Sequence, residues 1–312
     1  MIKKLELDEE TLAKYAQIGY YYHKDGMTQA EIADRMQMSR QRVNRILGEC
    51  IELGIVEVRI CAPSSNILEL ESEIESRYNL KKVRVVNGVT KENAHSELGF
   101  RAGQYLSEIM RDNDVIGFSR GATLGALADQ LPVITRKGLV VTQLMGGWNS
   151  GYSDKDGDDI IRRFSRKIRT DVNCMFAPVM VHNEHFKQLL FKEPYFMKAY
   201  EIACSSTIAV LGIGEARTHI PLPASEKTYF DALPDKTAGE VCTHFYDIEG
   251  VPVKTSFDDR IVAISLEDLK RIPIRIGVAG MPSKLSAIKG AIRGGYINVL
   301  ITDSDTASAL CR

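Results

Sequence analysis

The sequence predicts an α/β protein in two parts, a small helical module followed by a larger domain built on a parallel sheet. Three observations carry this. The chain has 312 residues, against roughly 100–200 per domain. Its apolar pattern is helical up to about residue 60 and then alternates short apolar runs with amphipathic stretches. Between the two regimes lies the turn-rich Ala62-Pro63-Ser64-Ser65-Asn66. The expected domains are therefore 1–61 and 62–312.

Within the first part, residues 12–24 form a helix with apolar positions at Leu12, Ala16, Gly19, Tyr20 and His23, and Gly26 stands at its C′ position. Thr28 and Glu31 have capping-box spacing before a short helix at 29–36. Ser39 caps a third helix, 40–53, which Gly54 ends. Residues 56–60 alternate apolar and polar, as a short strand does, and would form a wing.

Residues 29–49 have the spacing of a helix-turn-helix. Ile32, Ala33, Met36, Met38, Val43, Ile46 and Leu47 make its inner face. Gln37 stands at the turn, where a left-handed backbone is expected and glycine is common. On a helical wheel the opposite face of the second helix carries Gln41, Asn44, Arg45 and Gly48, flanked by Arg40 and Arg42. No acid interrupts it from Ser39 to Leu47, whereas an ordinary solvated face mixes Glu with Lys. Arginine can read guanine O6 and N7, and glutamine or asparagine adenine N6 and N7. Thr28, Gln29 and Ser39 are placed to hydrogen-bond the DNA backbone. A helical hairpin used only for protein contacts would not need three arginines there.

Residues 67–78 form a charged helix with Leu70, Ile74 and Tyr78 spaced by four, read either as a solvated connector or as a self-association helix. Strands are expected at 82–86, 115–119, 139–144, 174–177, 207–212, 260–264, 275–279 and 298–301. Helices are expected at 94–110, 122–130, 159–168, 193–204 and 284–293. Apolar strands alternating with helices imply a mostly parallel sheet.

Ligands of such sheets bind beyond the carboxyl ends of strands. Ser119, Arg120, Gly121, Ala122, Thr123 and Leu124 occupy one strand-to-helix turn, where glycine allows close approach and helix N–H groups attract a phosphate. Gly146 and Gly147, before Trp148 and Asn149, repeat the arrangement, as does Gly280 to Lys284 with a lysine as point charge. Asp247, in a short turn before Gly250, can accept hydrogen bonds from sugar hydroxyls.

Composition narrows the classes. Forty basic and 41 acidic residues give a net charge of −1, which excludes a globally basic particle but not a basic face on one domain. Cys50, Cys61, Cys174, Cys204, Cys242 and Cys311 are scattered without a C-x-x-C pair, which suits reduced thiols in a cytoplasmic protein. No secretory signal or membrane-spanning run is expected. His182 and His185 lack a third ligand at a metal-site spacing, so neither a metal nor another cofactor is expected.

The motifs in order resemble the SorC family of bacterial transcriptional regulators. The resemblance rests on residues 20–60, on Gly117 to Leu124 against the family's G-x-S-x-G-x-T, and on Ala177-Pro178, Gly212-Ile213-Gly214, residues 245–250, Ala279-Gly280 with Lys284, and residues 301–307. It spans nearly the whole chain, and the pattern is closest to the type that regulates autoinducer-2 uptake. It implies a winged helix-turn-helix joined to a Rossmann-like sugar-binding domain similar to phosphosugar isomerases and deaminases. It further implies operator DNA and a phosphorylated sugar effector as partners, and a homo-oligomer, usually a tetramer. Arg120 and Met281 depart from the family pattern, and each is expected to alter the effector's preferred size or charge. The expected function is a repressor of a carbohydrate operon. The alternative is a phosphosugar isomerase or deaminase, with Asp247 and Asp303 as formal candidates for its base.

Overall fold

Three side-chain caps set the starts of the N-terminal helices. Asp8 accepts the Thr11 N–H at 2.7 Å and begins α1, Glu9–His23. Thr28 and Glu31 cap each other's backbone at the start of α2, Gln29–Arg35. Ser39 Oγ accepts the Arg42 N–H at 3.2 Å and begins α3, Arg40–Glu52. The computed structural model describes residues 8–56, 65–132, 134–147, 157–216 and 233–312, and the chain divides into two units, Met1–Ser65 and Asn66–Arg312.

The first unit closes on Ile18, Ile32, Ala33, Val43, Ile46, Leu47 and Cys50. Gln37 adopts φ +53°, so the turn does impose a left-handed backbone on a non-glycine residue. Two expectations for α1 need correction. Its buried face is Ile18 and Gly19, and Leu12, Ala16, Tyr20 and His23 are exposed. Gly19 selects that face, because a Cβ there would stand 2.8 Å from the Val56 side chain. Gly26 is left-handed, but it follows the Lys24 C-cap by two residues rather than one. The expected wing at 56–60 lies outside the described residues, apart from Val56.

In the second unit α4, Ser65–Tyr78, leads into β1, Lys82–Val86, and α5, Ala94–Ile109. Next come β2, Val115–Phe118; α6, Ala122–Gln130; β3, Val140–Gln143; α7, Gly157–Ile168; and β4, Asp171–Asn173. They are followed by α8, Glu184–Leu190; α9, Pro194–Cys204; β5, Ile208–Gly212; β6, Gly214–Glu215; β7, Thr237–Val241; and β8, His244–Asp247. The chain ends with α10, Leu266–Arg271; β9, Ile274–Val278; α11, Leu285–Arg293; β10, Val299–Asp303; and α12, Ser304–Cys311.

Seven parallel strands form one sheet in the order β1-β10-β9-β5-β2-β3-β4. Alternation along the strands separates two apolar layers. Ile208, Val210, Val299 and Ile301 face α5, α6 and α7, while Ala209, Leu211 and Leu300 share the other cluster with α4 and α9 to α12. A small antiparallel sheet, β6-β7-β8, joins the latter layer.

The charged helix α4 is not a solvated connector. Ile74 is fully buried, and the Glu71 and Glu75 carboxylates accept the Val85 and Val83 N–H groups of edge strand β1 at 2.9 and 2.8 Å. Acids on the helix thereby occupy donors that an open sheet edge leaves exposed. The stripe offered for self-association is spent on this core.

The strand expected at 174–177 falls instead at β4, because Gln143 Oε1 takes the Met175 N–H at 2.8 Å and the chain leaves the sheet. Residues 260–264 are not a strand. Their alternate amides bond two different segments, Val262 to the Val179 carbonyl and Ile264 to that of Leu144. The antiparallel sheet and the short helices α8, α10 and α12 were not anticipated.

Candidate functional site

The capped start of α3 presents Arg40, Gln41, Arg42, Asn44 and Arg45 to solvent, opposite buried Val43, Ile46 and Leu47. An open cleft of about 800 Å³ beside it is lined by Tyr22, Gly26, Met27, Thr28, Gln29, Ala30 and Arg40. Several of the polar side chains are already tethered. The Thr28 hydroxyl donates to Glu31 at 2.8 Å, the Gln29 amide donates to Asn44 Oδ1 at 3.1 Å, and Arg45 pairs with Glu49 at 3.4 Å. Thr28 therefore builds the helix start, while Gln29 fixes the Asn44 amide and does not point freely outward.

In the large sheet, successive strands run outward from β2 in one direction and from β5 in the other, so the strand order reverses between β2 and β5. The crevice at such a reversal is where open α/β sheets bind ligands. Ser119 follows β2 and holds it to β5, its N–H donating to Val210 O at 3.0 Å and its Oγ accepting the Gly212 N–H at 2.9 Å. A Cβ on Gly212 would lie 2.7 Å from the Arg120 carbonyl, so the two strand ends meet backbone to backbone. Gly121 has φ +136°, which an L side chain rarely adopts, and turns the chain into α6. Ala122 and Thr123 supply first-turn amides, and Thr123 Oγ1 lies 2.9 Å from His95 Nδ1.

Lys284 reaches the same crevice from the start of α11, donating from Nζ to the Ile213 carbonyl just beyond β5 at 2.9 Å. Burial pulls its pKa below the ordinary lysine range, against the opposing charges of Glu215 and Glu240. Glu240, on β7 beside Gly214, accepts the Thr243 N–H at 3.0 Å. Burial raises its carboxyl pKa, although the Thr243 bond, Arg120 and Lys284 all favour the charged form. Cations, an acid and helix amides thus converge at the end of β2 and β5.

Other expected site residues sit differently. The Leu124 side chain is buried in the core and its N–H bonds the Gly121 carbonyl, so it offers nothing to a ligand. Gly146 and Gly147 do not form a donor loop, since their N–H groups bond Val262 and Ala177 carbonyls, both at 2.9 Å. Their continuation, Trp148 and Asn149, lies outside the described residues. The Asp247 carboxylate closes its own turn by accepting from Glu249 and Val251 N–H at 3.1 and 2.9 Å. Asp303 caps α12 and accepts the Met281 N–H, while Asp247 Oδ2 faces Lys236 Nζ at 3.8 Å, so both formal candidates for a base already have partners. Met281 carries φ +80°, a left-handed backbone that L side chains rarely adopt.

Two residues of the crevice were missed. Glu240 is the one charged residue between Thr237 and Phe245, and an acid alone in an uncharged strand is a signal that went unread. His95 left none, because its position depends on α5 packing against α6. His182 and His185 are exposed around the start of α8. A depression of about 940 Å³ at the opposite ends of the strands is lined by Asp114 and Arg136 among others. It is structural, because Asp114 bonds Thr207 and the Arg111 N–H while Arg136 bonds the Met110 carbonyl. No helix among the described residues is long and apolar enough to cross a membrane.

An arginine-rich face on a helix-turn-helix, followed by an α/β unit with a crevice at its strand-order reversal, defines a DNA-binding regulator with a ligand-binding domain. The chain belongs to the family described as putative sugar-binding domain, which matches residues 62–312, while residues 11–63 match the MarR family. It is similar to the deoxyribonucleoside regulator of Bacillus subtilis (strain 168), 29% identical over 311 residues and covering 97% of this chain and 99% of the relative. It is also similar to the transcriptional regulator LsrR of Escherichia coli (strain K12), 29% identical over 313 residues, 98% of this chain and 95% of that one. In fold it matches the full-length sorbitol operon regulator SorC from Klebsiella pneumoniae, with TM-score 0.75, 24% identity and coverage of 97% and 100% of the two chains. A probable sor operon regulator from Shigella flexneri gives TM-score 0.74 at 28% identity over 80% of this chain and all 100% of that one. The SorC-type transcriptional regulator read from the motifs is thus upheld.

Proposed function

We propose that the chain represses an operon for carbohydrate uptake or catabolism, and that a phosphorylated sugar in the β2/β5 crevice lowers its operator affinity. The observation that carries this is the convergence of Arg120, the α6 amides and Lys284 on one crevice, with Glu240 beside them. The phosphate lies against the Gly121, Ala122 and Thr123 backbone and the two cations. Glu240 accepts hydrogen bonds from sugar hydroxyls. Arg40, Gln41, Arg42, Asn44 and Arg45 meet the operator, with Ser39 at the backbone.

The chain binds its sugar without turning it over. The occupied carboxylates of Asp247 and Asp303 support that reading, as do the relatives' names as regulators. We further propose a cytoplasmic homo-tetramer, which multiplies a modest affinity per recognition helix. A melting screen of the full chain against sugar phosphates tests the proposal. A bound effector at 100 times its Kd stabilises by about 2.7 kcal/mol. Absence of any shift across the panel, or conversion of the sugar on incubation, overturns it.

A further inference from the structure

We infer that Glu49 is a positioning residue for base recognition, bridging Tyr15 of α1 to Arg45 of α3 so that the Arg45 guanidinium is held side-on before DNA arrives. The inference rests on the reading of α3 as the recognition helix.

Each oxygen of the carboxylate has its own partner. Glu49 Oε2 accepts from the Tyr15 hydroxyl at 2.5 Å, and Oε1 faces Arg45 Nε at 3.4 Å. Glu49 stands one turn after Arg45, with about a third of its side chain exposed against two thirds of Arg45's. The carboxylate therefore engages the inner edge of the guanidinium. The two terminal nitrogens form the fork that guanine O6 and N7 require. A free arginine surrenders its rotamer freedom when it docks, and a side chain already held surrenders less.

The bridge also accounts for an acid this close to a DNA-facing surface. An isolated glutamate would repel phosphates, whereas this one has its charge opposed by Arg45 and its second oxygen bonded to a phenol. The hydrogen bond to Glu49 raises the Tyr15 pKa further above its ordinary value near 10. Tyr15 itself packs against the core of the first unit, and the orientation of Arg45 is thereby referred to α1. Gln29 does the same for Asn44 from α2.

The test uses the full chain. A duplex is first selected from a randomised pool by the wild-type protein. Affinity is then measured for that duplex, for each single-base-pair variant of it, and for an unrelated duplex. Glu49→Gln retains the shape but has one acceptor oxygen in place of two. It is expected to reduce discrimination at the base pair read by Arg45 by up to about five-fold, the upper end for a part-exposed ion pair, with affinity for the unrelated duplex changed less than about two-fold. Tyr15→Phe should give a smaller loss at the same base pair, and Glu49→Gln should add nothing in an Arg45→Ala background. Equal weakening on every duplex, or undiminished discrimination in both Glu49→Gln and Tyr15→Phe, would overturn the inference. Undiminished discrimination in Arg45→Ala would instead overturn the recognition-helix reading.

Discussion

On α3 the side chains of Arg40, Arg42 and Arg45 stand in solvent, where their charges cost little to maintain. In the β2/β5 crevice Lys284 is half-buried, its ammonium tied to the Ile213 carbonyl and set against Glu215 and Glu240. The first arrangement suits a long polyanion, because exposed cations make contacts whose strength falls with salt. The second suits one small anion, because desolvated charges discriminate strongly between a partner that satisfies them and one that does not. One chain thus separates a broad electrostatic surface from a narrow one.

The largest effect should come from the exposed surface. Replacing Arg45 and Gln41 together by Ala is expected to remove about 2–6 kcal/mol of discrimination between the selected duplex and an unrelated one, from two base contacts of about 1–3 kcal/mol each. Circular dichroism of the variant should be unchanged, since neither side chain enters the core.

Lys284→Ala should act only on the other surface. It is expected to abolish the melting shift of about 2.7 kcal/mol given by a sugar phosphate at 100 times its wild-type Kd, with DNA affinity in the absence of sugar preserved. A variant that retained the shift would place the phosphate elsewhere.

The legibility of the two regions differs for the same physical reason. A recognition face is periodic along a single helix, so the caps Thr28 and Ser39, the left-handed Gln37 and the arginine stripe could all be read from local spacing. The middle of the parallel sheet was legible because β2, β5 and β10 are mostly apolar runs, whereas edge strand β4, Asp-Val-Asn, was not. The crevice is not local. Lys284 meets residues near 213 and 240, and Gly146 looks like a ligand loop until its amide is seen bonded to Val262. The α1 face was misread because it depends on Val56 approaching Gly19, and Asp247 because its carboxylate is consumed within its own turn.

Glu240 sharpens the contrast through pH. Its folded pKa is raised by burial, so the carboxyl favours folding below its ordinary value near 4.5, and that contribution is lost as pH rises through the raised folded value. Glu240→Gln, which cannot ionise, should gain stability relative to wild type as pH increases across that interval. Denaturant midpoints at pH 4 and pH 7 report it, and a difference that shrinks with pH contradicts the assigned direction.

The smallest effect is structural. Thr28→Ala removes one half of the capping box and should cost the first unit about 1 kcal/mol, without altering the sugar-phosphate shift.

On the proposed function, effector binding at the crevice and operator binding by the recognition helix are thermodynamically linked. This linkage is tested most directly by titrating full-length protein onto its selected duplex with and without a sugar phosphate already shown to raise its melting temperature. The sugar is expected to weaken wild-type DNA binding by at least about five-fold, the lower end of ordinary allosteric coupling, and to leave Lys284→Ala unaffected. A sugar phosphate that binds the crevice while wild-type DNA affinity stays constant would contradict the linkage.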